Sequence, residues 1–488
     1  MNSLFGPSSP WYPSLGSAVL DFIRSAYGLL LLATLVAAIP HARRYFLSER
    51  WGGYAQRGRW TDSFQNPVVV VVVLAVWLAA ATALLLNRAV VLAALMNVLL
   101  CRYFFIQMRW RGALRGMGAP GFIAYWLGVA VLMLEYTRRF APNLNGLALL
   151  VLQVDFAFIM LSAGTYKFRA GYRQNDGMEL GMVNPEWGYW SRFWSRIPPT
   201  NVVFRLFNEL AWGLEVLGAL LMLFPPTRFV GGLVILLSFV FIATQTRLGF
   251  LCEMVMVCCL TYAHPGSFVD LWLTAAMPAV DVPQVAAPAA MNAPIEFGLW
   301  GYLLLLPLAR AGLAYNLYAK KTLPYKLQRV FEAYTNAFGL IIWRVFSVDL
   351  INFYIEIYEQ RPNGDRRLLS KWGQSLRYRQ VAESITVTSV FTTLKYFPSN
   401  HELFVERLIR YARTIPHDRD SLLVFRYLSV LKRPDRFDFH PATEYVVDVS
   451  RGAVSEHVLD GSVSVHAGAT TSPIHEGARP GSYAPLRP

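Results

Sequence analysis

Residues Leu147 to Phe168 read LALLVLQVDFAFIMLSAGTYKF, an apolar run about as long as the roughly 20 residues that a helix needs to cross a bilayer. An acid, Asp155, sits halfway along, and the run closes on Ala163-Gly164-Thr165-Tyr166-Lys167. Ionisable groups at such depth are costly and mark functional sites by default. A lysine at a helix end also has a simpler use, laying its stem along apolar surface while the ammonium reaches the headgroups. Both readings apply to Lys167.

The whole chain has the texture of this run. Of 488 residues 55% are hydrophobic, 14% aromatic and only 16% charged, and the mean hydropathy is +0.36, which excludes an ordinary array of soluble domains. Candidate spans lie at 18–39, 67–87, 89–107, 121–136, 146–167, 203–224, 229–246, 249–264 and 296–318, so the expected fold is an all-α polytopic membrane bundle of about nine transmembrane helices. Residues 1–17 form an N-terminal segment without Lys or Arg, which lacks the basic start of a cleavable signal peptide and makes the first span a retained helix. Cys101, Cys252, Cys258 and Cys259 all fall in apolar segments, and no Cys or His spacing points to a metal.

Net charge is +14, but the basic residues cluster in short loops beside apolar runs and in the C-terminal third. That pattern implies contact with anionic membrane lipids rather than nucleic acid. Arg43, Arg44, Arg50, Arg57 and Arg59, then Arg109, Arg111 and Arg115, then Arg169, Arg173, Arg192 and Arg196 fall on one side; Arg88, Arg138, Arg139 and Arg228 fall on the other. The excess places the N-terminus outside and the C-terminal region in the cytoplasm, as in a bacterial inner-membrane protein.

After Tyr318 charge rises, and 319–455 reads as a small, strand-rich α+β soluble domain docked on the core. Phe346 to Tyr358, Ser384 to Tyr396, Leu422 to Val430 and Glu444 to Val449 carry the β-branched and aromatic residues of strands. A helix is expected from His401 to Thr414, with Ser399 and Glu402 as a capping box. Residues 456–488, rich in Gly, Ser, Thr, Ala and Pro, read as a disordered tail.

Within the core, Asp155 and Lys167 lie about 120° apart around their helix and about 18 Å apart along it, so they cannot pair. Lys167 needs a partner from another element, and Glu209, Glu215 or Glu253 offers one. A carboxylate partner keeps the lysine protonated, whereas a dry pocket without one turns the amine into a base. In the link that follows, Trp187, Trp190, Phe193 and Trp194 recur every three or four residues, the spacing of an amphipathic helix in the headgroup layer that either roofs a pocket or anchors the chain.

Gln153, Ala163-Gly164, Lys167, Gly171, the Trp-rich link, Phe207-Asn208-Glu209-Leu210, Glu215, Pro225-Pro226-Thr227-Arg228 and Leu248-Gly249-Phe250 together resemble the HTTM (horizontally transferred transmembrane domain) family, over about residues 18–318. That family forms the membrane core of vitamin K-dependent gamma-carboxylases and is similar to lipase maturation factors; Trp343-Arg344-Val345-Phe346-Ser347 is similar to the start of its β-rich part. The resemblance implies that Lys167 matches the lysine base that deprotonates a reduced quinone. The carboxylase histidines have no counterpart, since none of the eight histidines lies in the middle of an expected span. Two function classes follow. In the first, Lys167 acts on a quinone-like or lipidic substrate, helped by Asp155 or Glu209, with Tyr166, Trp187, Trp190, Glu215 and Glu253 lining the pocket. In the second, the chain is a non-enzymatic scaffold or assembly factor that holds a partner protein through its C-terminal domain.

Overall fold

A chain in lipid must satisfy its backbone hydrogen bonds within each crossing segment, and the apolar runs accordingly fold as helices. The computed structural model describes residues 11–54, 62–107, 118–277, 289–319, 321–341, 351–370 and 377–459. Its α-helices are α1 (Ser17–Ala38), α2 (Ala42–Phe46), α3 (Pro67–Leu85), α4 (Val90–Cys101), α5 (Gly118–Phe140), α6 (Asn145–Arg169), α7 (Met178–Val183), α8 (Ser191–Trp194), α9 (Val202–Leu223), α10 (Arg228–Gln245), α11 (Leu251–Cys259), α12 (Phe268–Ala276), α13 (Ala289–Tyr318), α14 (Tyr325–Phe338), α15 (Arg377–Tyr396) and α16 (His401–Ala412).

Among the described residues, seven helical stretches are long and apolar enough to cross a membrane: Ser17–Phe46, Pro67–Leu85, Pro120–Phe140, Pro142–Arg169, Val202–Leu223, Pro225–Gln245 and Asn292–Tyr318. The expected spans at 89–107 and 249–264 correspond to shorter apolar helices, Val90–Ile106 and Leu251–Tyr262, so among the described residues seven of the nine expected spans reach crossing length. Each changes helix type along its length, α4 passing into a π-helical turn at Arg102–Gln107 and α11 into a 3-10 turn at Leu260–Tyr262. Glycines set the close crossings. A Cβ on Gly28 would stand 2.9 Å from Ala81 O and Leu85 N, and one on Gly231 would stand 2.6 Å from Met222 N, so α1 meets α3 and α9 meets α10 nearly backbone to backbone.

The C-terminal part carries a five-stranded antiparallel sheet in the order β2-β1-β3-β4-β5, with β1 (Phe353–Gln360), β2 (Arg366–Leu368), β3 (Leu422–Lys432), β4 (Phe437–Asp448) and β5 (Ala453–Val458). Alternation along β1 and β3 sends Phe353, Ile355, Phe425 and Tyr427 to one face, against Val387, Val390, Phe391 and Leu394 of α15 and Phe404 and Leu408 of α16. Tyr354, Leu428, Val430 and Phe437 join the core of the bundle, where the Phe437 ring meets Phe204 of α9 edge-on at 5.8 Å.

Two local expectations are corrected. Ser384 to Tyr396 belongs to a helix, not a strand: the buried positions 387, 390, 391 and 394 have helical spacing, and Ser389 and Thr392 return their hydroxyls to Thr386 O and Ser389 O. The cap of α16 is Asn400 rather than Ser399, its side chain accepting from Leu403 N at 3.1 Å. The strand expected from Phe346 lies in part outside the described residues, as do Trp343 to Ser347 and the tail beyond Leu459.

Candidate functional site: a buried lysine and glutamate at the α6–α9 crossing

The site starts from the absence of a side chain. A Cβ on Gly164 of α6 would lie 2.8 Å from Val216 Cγ2, 2.9 Å from Trp212 O and 3.0 Å from Val216 N of α9, so the two helices touch there. One turn further on, this contact delivers Lys167 to Glu215: Nζ donates to Oε1 at 2.5 Å, and the two side chains are 2% and 1% exposed. The second carboxylate oxygen, Oε2, is buried without a hydrogen-bond partner. A buried acceptor left open costs about 1–3 kcal/mol, so it marks a place where something else is meant to bind or where stability is given up.

The link after α6 closes over this pair from its loop side. Gly171 turns the chain with φ 109°, and Tyr172 follows, fully enclosed. Burial raises the Tyr172 phenol well above its usual range, and the nearby Glu215 and Glu179 charges add to it, so it stays a neutral hydroxyl. Asn208 of α9 ties the link down, accepting from Met178 N at 2.7 Å and donating to Glu179 Oε2 at 2.7 Å and Asn175 Oδ1 at 2.8 Å. Lys432 of β3 reaches the same cluster, bonding Asn175 O, Asp176 and Glu179 Oε1. The C-terminal sheet therefore holds the cover of the Lys167–Glu215 pair in place.

A second seam joins link and sheet. Asn184 donates to Ile351 O at 2.9 Å and Phe353 O at 2.8 Å, and Glu186, fully buried, accepts from Thr388 of α15 at 2.9 Å. Burial pushes the Glu186 carboxyl up to about 8, against the pull of the Thr388 hydroxyl and a backbone hydrogen bond from Ile355. The folded state thus holds a proton that the unfolded chain has released, so this stability is present at low pH and is lost as pH rises through about 8. Thermal unfolding of the purified protein should show stability falling by about 2 kcal/mol from about pH 6 to 8, and Glu186→Gln should flatten that slope.

The other expected site residues scatter. Asp155 is buried away from Lys167 and pairs with Arg310 of α13 at 2.8 Å, while Trp126 Nε1 donates to its other oxygen at 2.9 Å. Glu209 is exposed on α9 and accepts from Trp212 Nε1 at 2.9 Å. Tyr166 and Glu253 are half-buried, in α6 and α11. The expected amphipathic helix across 187–194 is only the four-residue α8: Gly188 bridges to Thr246, Trp190 Nε1 donates to Thr244 O at 3.0 Å and Trp194 Nε1 to Gln245 Oε1 at 3.1 Å. These bonds clamp the link to the end of α10, burying Trp187 and leaving Trp190 exposed.

Sequence reading passed over Arg310, and over Glu135, which joins Arg24, Asp21 and Arg138 in a buried network at the opposite end of α1 and α5. The signal in both was a single charge inside an apolar run. Among the described residues, no group of three or more His, Cys, Asp or Glu is placed to hold a metal ion. No family model matches the chain, and no curated protein or solved structure matches it.

Proposed function

We propose that this integral membrane protein is an HTTM-type enzyme whose Lys167–Glu215 pair acts on the protic head of a quinone-like or lipidic substrate. The observation that carries the reading is the open Glu215 Oε2 beside an ammonium that is already paired. In that arrangement the roles divide. Glu215 Oε2 accepts the proton of a substrate hydroxyl, and the Lys167 ammonium stabilises the oxyanion left behind, so the lysine serves as electrostatic partner rather than base. Tyr172, kept neutral, adds a hydroxyl at the covered end.

The test is chemical analysis of what co-purifies. Protein isolated in native lipid discs should carry a hydroxylated or quinone-type lipophile that is lost from Lys167→Met/Glu215→Gln at unchanged protein level. Equal amounts in both would overturn the reading. Stoichiometric recovery of another protein instead would support the scaffold reading, which β5 favours as an exposed outer strand able to receive a partner strand.

We place the C-terminal domain in the cytoplasm of a bacterium, because the first basic loop packs against its helix α16: Arg44 donates to Thr414, and Arg410 pairs with Glu49 at 2.7 Å. A cysteine placed at Ser455 should resist an impermeant thiol reagent applied to spheroplasts and react after permeabilisation. Ready labelling of intact spheroplasts would reverse the orientation.

A further inference from the structure

The polar knot around Asp155 is a second candidate site, independent of the Lys167–Glu215 pair. It is built by α14, which turns back along α13 instead of joining the sheet. Gln328 meets Asn316 at 3.4 Å, a Cβ on Gly312 would meet Phe331 at 2.6 Å, and the Phe338 ring lies 5.0 Å from Tyr302. Tyr302 precedes the end of α13 by four to five turns, about 24 Å of helix, so α14 runs back beside α13 to the level of Tyr302, burying Thr335. Two guanidinium groups hold this end of the hairpin: Arg102 Nη2 donates to Asn336 O in the last turn of α14 at 3.2 Å, and Arg310 Nη1 to Ile341 O, three residues beyond it, at 2.7 Å.

The bookkeeping of donors and acceptors at this point is uneven. Asp155 is satisfied on both oxygens, by Arg310 Nη2 and by Trp126, and it also engages the Tyr302 hydroxyl. Arg310 Nε and the Tyr334 hydroxyl, by contrast, are buried without a partner, and Tyr334 lies within electrostatic reach of both Asp155 and Arg310. The pair Asp155–Arg310 cancels its own charge, so the surplus is of neutral hydrogen-bond donors. Such a surplus fits a neutral acceptor, not an anion. The approach is through lipid, since α13 is the least enclosed of the seven long helices and turns Phe297, Leu304 and Leu308 outward.

We propose that the α13–α14 hairpin holds, at Arg310 Nε and the Tyr334 hydroxyl, the carbonyl oxygen of a neutral long-chain molecule that enters from the bilayer. The carbonyl belongs to a glycerolipid ester or to a ketone on an apolar chain, and the experiment separates the two. Detergent-purified full-length protein is titrated with dioleoylglycerol, with laurone and with tricosane, and thermal unfolding is followed. Either carbonyl compound should raise the melting temperature, an ester-only or ketone-only response naming the source, while tricosane should not. Tyr334→Phe removes an unpartnered hydroxyl, so the ligand-free protein should be at least as stable, yet its apparent affinity should fall about tenfold. Arg310→Lys keeps the charge opposite Asp155 and removes the Nε donor, and should weaken binding similarly. A tricosane response equal to the carbonyl compounds, no response to any of them, or unchanged affinity in both variants would overturn the proposal.

Discussion

Lys167→Met is expected to destabilise the protein by about 3–5 kcal/mol, because it leaves the Glu215 carboxylate buried without its charge partner. In the wild type the lysine provides the only hydrogen bond that the described residues give to the Glu215 carboxylate, through Oε1, so its removal strands both oxygens. Adding Glu215→Gln removes the stranded charge and should restore most of the folded yield, since losing both members of a buried pair costs far less than losing one. Fluorescence-detected size exclusion and thermal unfolding of wild type, both single variants and the double variant give the coupling directly. Activity, or retention of a bound lipophile, should stay lost in the double variant although the fold returns. Recovery of both together would reduce the pair to a strut between α6 and α9.

Gly164→Leu should be nearly as damaging, by about 3 kcal/mol. Two of the three atoms facing that position are backbone, Trp212 O and Val216 N, and a main chain cannot retreat the few tenths of an ångström that a flexible side chain can. The helices must separate, and Lys167 and Glu215, one turn away, must separate with them. Gly164→Ala carries the same sign with smaller size. Gly213→Ala on α9 is the matched control, because nothing lies within 4 Å of a Cβ there, and it should leave the melting temperature nearly unchanged. Equal tolerance at 164 and 213 would show that the crossing is loose.

The helical bundle was legible because its spans are long, apolar and uninterrupted, and Glu215 stood among the three carboxylates named as partners for Lys167. What chose Glu215 over Glu209 is rotation of α9 about its axis: six residues place the two carboxylates on different sides, and the Gly164 contact decides which side faces α6. Periodicity within one helix cannot supply that, because the neighbour is 48 residues away in sequence. The pairing of Asp155 was out of reach for the same reason, its partner Arg310 lying 155 residues further along the chain. The helix at 384–396 was missed because β-branched residues outweighed the 3.6-residue spacing of Val387, Val390, Phe391 and Leu394. The link was misread because its tryptophans, regular in spacing, are held by bonds to Thr244 and Gln245 of α10 that no local pattern announces. Arg102 and Arg310 reveal their use only once α14 is seen to end between them.

Infrared difference spectroscopy of wild type against Glu215→Gln, in native lipid discs at neutral pH, measures the protonation state on which the division of roles between Lys167 and Glu215 depends. An ammonium–carboxylate pair requires the substitution to remove an ionised carboxylate band and no protonated carboxyl band. Loss of a protonated carboxyl band would mean a neutral amine beside a neutral acid, and would return the role of base to Lys167.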